Sequence, residues 1–112
     1  MKRRVAAAAV AAVLAIASAG IASGATVVRM RDGAGPTENF FRPKTVRVDK
    51  GTRVKWVNRG SRPHTTTANS GKWDSGTLNP GESFARRFRR VGTFRYHCQI
   101  HTGMTGKIVV VA

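Results

Sequence analysis

The sequence has 112 residues, 20 of them Lys or Arg against five Asp or Glu, for a formal charge of +15. That length allows one domain, and the single cysteine, Cys98, excludes an internal disulfide. The positive balance points to acidic partners or anionic surfaces. It does not point to nucleic acid, because the aromatics alternate inward and no reader motif sits among the charges.

The chain opens Met1-Lys2-Arg3-Arg4, followed from Val5 by an uncharged Ala/Val/Leu/Ile run and then small residues. A basic start, an apolar middle and a small-residue cut describe a secretory signal peptide. Residues 1–25 are assigned to it, with cleavage after Ala19 or Ala25, and residues 26–112 to the mature domain. The competing expectation is an uncleaved anchor, since no charge recurs until Arg29 and the span is long enough to cross a bilayer. Its alanine-rich composition is only weakly hydrophobic, so the expected location is periplasmic or extracellular. Without Lys2, Arg3 and Arg4, 17 basic residues face five acidic ones, a formal charge of +12.

From Thr26 the pattern turns to short strands. Thr26 to Met30 is β-rich, and Asp32 to Pro36 is a loop marked by Gly and Pro. Asn39 to Phe41 is a short apolar piece, with a break or sheet edge at Pro43. Thr45 to Val48 and Thr52 to Asn58 alternate, and Asp49-Lys50-Gly51 between them predicts a hairpin. Asn58 to Pro63 is a polar loop ending at His64. Asn69 to Pro80 is a long loop with a short strand near Trp73. Ser83 to Arg90 is a strand with a defect, since Arg86 shares a face with Phe84 and Phe88, so a bulge or an edge is expected there. Arg86, Arg87, Arg89 and Arg90, with Arg95, form a basic cluster around one strand pair. No segment after the leader has helical periodicity. Seven or eight short strands predict an all-β, antiparallel Greek-key sandwich.

The run Tyr96-His97-Cys98-Gln99-Ile100-His101-Thr102-Gly103-Met104 carries the chemistry. Alternation puts Phe94, Tyr96 and Cys98 on one strand face, and Arg95 and His97 on the other. Gly103 permits a tight return that brings His101 and Met104 back over Cys98. Taken singly, Cys98 reads as a small buried hydrophobe, His64 as a surface-loop histidine and Met104 as core filling. Taken together, two imidazoles, a thiolate and a thioether are the donors of a blue-copper electron-transfer site. Copper ligation also accounts for an unpaired thiol in an exported protein.

The Tyr-His-Cys-x2-His-x2-Met-x-Gly-Lys run resembles the small cupredoxins of the plastocyanin/azurin family, and amicyanins most of all. Upstream, Phe41-x-Pro43, Val54-x-Trp56-x-Asn58, Pro63-His64-Thr65 and Leu78-x-Pro80-Gly81 extend the resemblance over most of the mature domain. One departure is Thr65, where amicyanin-like chains commonly carry Asn. Its backbone N–H still serves to donate to the Cys98 sulfur, and its side chain is a candidate brace between the ligand loops. The resemblance implies one copper per chain on His64, Cys98, His101 and Met104, with Met104 axial and His97 a non-ligand. It also implies that His101 reaches the surface while His64 and Cys98 lie deeper.

The expected function is a monomeric one-electron carrier, not an enzyme, serving a donor and an acceptor redox protein with acidic docking surfaces. Peripheral association with anionic membrane is a further use for the charge. The rival is a copper delivery or storage protein, which favours arrays of exposed Met and His. This chain has three methionines, including Met1.

Overall fold

The computed structural model describes residues 26–35 and 38–112, so the leader and Pro36 lie outside the described residues. Eight strands follow in order: β1 (Thr26–Asp32), β2 (Asn39–Arg42), β3 (Thr45–Asp49), β4 (Arg53–Asn58), β5 (Thr67–Ala68), β6 (Ser83–Arg87), β7 (Gly92–His97) and β8 (Thr105–Val111). They form two four-stranded sheets, ordered β2-β1-β4-β6 and β3-β8-β7-β5. After β2 the chain changes sheet at every connection up to β7, so the two inner faces enclose one core. The all-β sandwich expected from the strand pattern is what forms.

Two expectations about pairing are corrected. The β3 and β4 runs do not make a hairpin, because β3 pairs with β8 and β4 with β1 and β6. The turn between them is real: Thr52 N–H donates to the Asp49 carbonyl at 3.1 Å, with Gly51 at φ 96°. Its flanks are held apart, Lys50 N–H by the Val111 carbonyl and Gly51 N–H by that of Phe88, so the turn steps between sheets. Nor is every pairing antiparallel, since β1–β4 and β3–β8 run parallel. Alternation reads which face is buried; it carries no information about which edge a strand joins.

Val28 and Met30 of β1, Val54 and Trp56 of β4, Tyr96 of β7 and Ile108 and Val110 of β8 point inward and are buried. Each of the aliphatic side chains and Met30 contributes about 1.5–3 kcal/mol on burial. Trp56 is the hub, with ring centroids of Trp73, Phe84, Phe88 and Tyr96 at 5.7, 6.1, 6.3 and 5.4 Å. Trp73 belongs to this packing, its indole N–H donating to Thr66 Oγ1 at 3.1 Å. In place of a strand near Trp73, single bridges His64–Leu78 and Thr67–Asp74 fold the long loop onto the sandwich.

The Arg86 defect resolves as an edge. β6 is the outer strand of its sheet, and the Arg86 guanidinium lies 5.0 Å from the ring centroids of both Trp73 and Phe88. The cation covers the rim of the aromatic core while its charge stays wet. The basic residues do not surround one strand pair, because β6 and β7 lie in opposite sheets. Lys72, Arg86, Arg87, Arg89 and Arg90 instead line one groove with Phe88 and Phe94, while Arg95 faces other clefts.

Candidate metal centre

The upstream donor is positioned by Asn58, the last residue of β4. Its amide donates to the carbonyls of Arg62 and Leu78, both at 2.8 Å, and its Oδ1 accepts Gly60 N–H at 2.8 Å. The Asn58–His64 loop therefore curls around one buried amide. Pro63 restricts the backbone just before His64, and His64 and Leu78 exchange N–H···O bonds of 3.0 and 2.8 Å. The His64 side chain is 0% exposed.

The other donors come from the β7–β8 connection. Cys98 follows the end of β7 and faces inward with Tyr96, as alternation predicts. Cys98 N–H donates to the Met104 carbonyl at 2.9 Å, and Met104 N–H to that of His101 at 3.3 Å. Gly103, at φ 86°, makes the return possible. The loop thus closes on itself and brings His101 Nδ1 to 3.8 Å from Cys98 Sγ. The His64 and His101 rings are 4.9 Å apart. One ligand atom from each of His64, Cys98 and His101 lies within 4.8 Å of the others. Met104 is buried at the base of the same loop.

His101 is half-buried, whereas His64 and Cys98 are buried, the order of depth expected from the sequence. Exposed Ile100 and Thr102 flank it. His97 points elsewhere, its Nδ1 lying 2.6 Å from Asn69 Oδ1.

The electrostatics favour a bound cation. Burial alone would raise the Cys98 thiol pKa, but interaction with His64 and the N–H groups of Thr65, Ile100 and His101 bring it down to about 6. Burial likewise disfavours a charged His64, yet the Cys98 sulfur and the Asp32 carboxylate raise its pKa above the ordinary value. Thr65 N–H donates to Cys98 Sγ at 3.3 Å, the contact expected of the residue after His64. Nδ1 of His64 is buried without a hydrogen bond. An orphaned buried nitrogen beside a sulfur with a lowered pKa and a second imidazole is a donor set that a soft or borderline metal satisfies.

Sequence reasoning passed over one residue here. Asp32 reads as the start of a loop, yet it ends β1, and its Oδ1 lies 2.7 Å from His64 Nε2. No local pattern links residues so far apart in sequence; only the parallel β1–β4 register does.

The chain matches the family described as Cupredoxin-like domain over residues 4–110. It belongs to that family. It is 33% identical to amicyanin-alpha of Methylorubrum extorquens over 104 residues, covering 84% of this chain and 87% of that one. It is also 33% identical to plastocyanin of Scenedesmus fuscus over 96 residues, covering 74% of this chain and 98% of that one. A purple cupredoxin from Nitrosopumilus maritimus superposes with a TM-score of 0.67 at 26% identity, over 77% of this chain and 99% of that chain. The likeness to amicyanins read from the sequence is borne out. The family's cofactor is copper, and the donor set of His64, Cys98 and His101 fits it.

Proposed function

We propose that this chain is a mononuclear type 1 copper protein that carries single electrons between larger redox proteins. The observation that carries the reading is the convergence of a thiol and two imidazoles within 4.8 Å, one imidazole fully buried and the other half-buried. Copper, when bound, supplies a one-electron change between Cu(II) and Cu(I). His64, Cys98 and His101 would hold it, with the Met104 thioether as a further, weaker donor. His64 and Cys98 are tied into the sandwich by backbone and side-chain bonds, which resists rearrangement when the charge changes. His101 reaches the surface beside Ile100, which is 44% exposed, and forms the doorway for the electron.

A carrier suits the surroundings better than a store or an enzyme. Met30 and Met104 are both buried, so among the described residues no exposed methionine array offers exchangeable Cu(I). His97 is engaged with Asn69, and the other two of the three histidines, His64 and His101, belong to the first site. Partners with acidic docking faces suit the basic groove, and among the described residues none of its cations pairs with a carboxylate. The chain acts as an exported monomer, with residues 1–25 as its leader. The test is repeated reduction and reoxidation of the copper-loaded protein in the presence of a Cu(I) chelator. A carrier keeps its copper and recovers its full absorption each cycle; loss of copper to the chelator on first reduction would favour delivery or storage.

A further inference from the structure

Asp32 is an aspartate where the strand pattern calls for an apolar residue. Val28, Met30 and Asp32 share the inward face of β1, and the first two are fully buried. A carboxylate there costs desolvation unless its oxygens are fully used. They are used in two directions. Oδ2 accepts bonds from Ser61 N–H, from Ser61 Oγ at 2.7 Å and from Arg62 N–H at 3.2 Å. Oδ1 turns the other way, to His64 Nε2. The register explains the placement. Met30 lies opposite Asn58, where β4 ends, and Arg59 N–H still donates to the Met30 carbonyl at 2.9 Å. β1 runs on past that point, so its last residue overhangs the curled loop. The residue beneath is Gly60, and a Cβ added there would overlap the Asp32 carboxylate.

We propose that Asp32 is a positioning residue for the metal centre: its carboxylate fixes His64 in the Nε2–H form, leaves Nδ1 for the metal and makes the imidazole a stronger donor, and Gly60 keeps the space it needs. This rests on His64 being a copper ligand, as proposed above. A bond to the loop alone would need only Oδ2. Oδ1 is spent on the imidazole inside a site where the Asp32 side chain is 11% exposed and that of His64 is 0%. An imidazole that donates to an anion on one side is more electron-rich on the other, which favours Cu(II) over Cu(I) and lowers the reduction potential. Three donors converge on Oδ2 and none of the groups around the carboxylate is an acid, so at neutral pH the acceptor is an anion.

The test uses Asp32→Asn, which keeps the shape and removes the charge, and Gly60→Ala, which displaces the carboxylate without altering any bonded side chain. Removing such a partner weakens metal binding by about 10–100-fold. Where that loss falls on Cu(II), each tenfold step raises the potential by about 59 mV. Both variants should keep the copper–thiolate absorption and show a raised potential, and the double variant should shift no further than the larger single. An unchanged potential in Asp32→Asn with the absorption intact, or shifts that simply add, would overturn the proposal. A copper-free readout separates this from the function itself. Nitrogen NMR of the copper-free protein should find the His64 Nε2 proton present and protected, and lost to fast exchange in Asp32→Asn or Gly60→Ala. A neutral His64 carrying its proton on Nδ1 alone would reject the assignment. A wild-type copper form without type 1 absorption, with the Nε2 proton still protected, would count against the electron-carrier reading and leave Asp32's hold on His64 intact.

Discussion

The backbone N–H of Gln99 donates to Oγ1 of Thr65 across 2.9 Å. The residue after Cys98 is thereby bonded to the residue after His64, and Thr65 N–H reaches the Cys98 sulfur from the same position. Thr65 Oγ1 also lies 3.0 Å from Thr67 Oγ1. The brace between the two loops is a hydroxyl, and Thr65 is buried. Thr65→Val keeps the shape and the N–H but strands the Gln99 N–H, while Thr67 Oγ1 keeps its bond to Asp74 Oδ1. We expect a loss of about 1–3 kcal/mol in unfolding free energy, while Thr65→Ser stays near wild type. Denaturant unfolding of the copper-free proteins measures it; equal stability of the valine and serine variants would show that the hydroxyl joins nothing of consequence.

Met104→Leu separates ligation from packing at a residue that is 1% exposed. As a volume-conserving swap it should cost less than about 1.5 kcal/mol in stability. If the thioether is the weak axial donor, its loss leaves copper on the other three ligands and raises the reduction potential, because that donor helps stabilise Cu(II). Voltammetry and absorption spectra of the variant decide. A potential and spectrum unchanged from wild type would make Met104 a core residue only.

The groove of Lys72, Arg86, Arg87, Arg89 and Arg90 should act through its field. Arg86 is engaged with Trp73 and Phe88, and Arg87 donates to the Gly51 carbonyl at 2.7 Å, so Arg89 and Arg90 are the cations to alter without structural loss. Oxidation of the reduced protein by anionic hexacyanoferrate should slow as salt rises, because screening shortens the reach of charge to about 8 Å at physiological ionic strength. The Arg89→Gln, Arg90→Gln double variant should show a shallower salt dependence. An identical slope would place the steering charge elsewhere.

In the copper-free protein Cys98 should titrate near 6 rather than near its ordinary value, since His64 and three backbone N–H groups favour the thiolate over the cost of burial. A folded pKa below the unfolded one means that this contribution to stability is complete above the unfolded thiol pKa of about 8.5. It is lost as pH falls through about 6. Thiolate absorbance in the ultraviolet, followed across pH on copper-free protein, measures the midpoint. A midpoint near 8.5 would mean that the preformed electrostatics of the pocket are absent.

Which residues face the core, and that Cys98 and His101 come together, was legible because both are periodic or local signals. Val54 and Trp56 alternate within one strand, and Cys98, His101 and Met104 fall within one loop. Phe41 and the Pro63-His64 pair extended the reading through resemblance. What was not legible is sheet partnership. Asp49-Lys50-Gly51 has the composition of a hairpin turn, but nothing local says that β3 and β4 enter different sheets. Asp32 failed for the same reason: its role exists only once β1 lies parallel to β4 and overruns it. Arg86 was read as a conflict because alternation has no place for a cation resting on an aromatic rim.

The reading of this chain stands or falls with His64, Cys98, His101 and Met104 together making a type 1 copper site. The most direct measurement is the visible and EPR spectrum of the protein after addition of one equivalent of Cu(II), compared with Cys98→Ala. The expected result is an intense copper–thiolate absorption with the narrow copper hyperfine splitting of a covalent Cu–S bond, saturating at one copper per chain and absent from the variant. A pale complex with ordinary tetragonal Cu(II) parameters, or a spectrum that survives loss of Cys98, would contradict it.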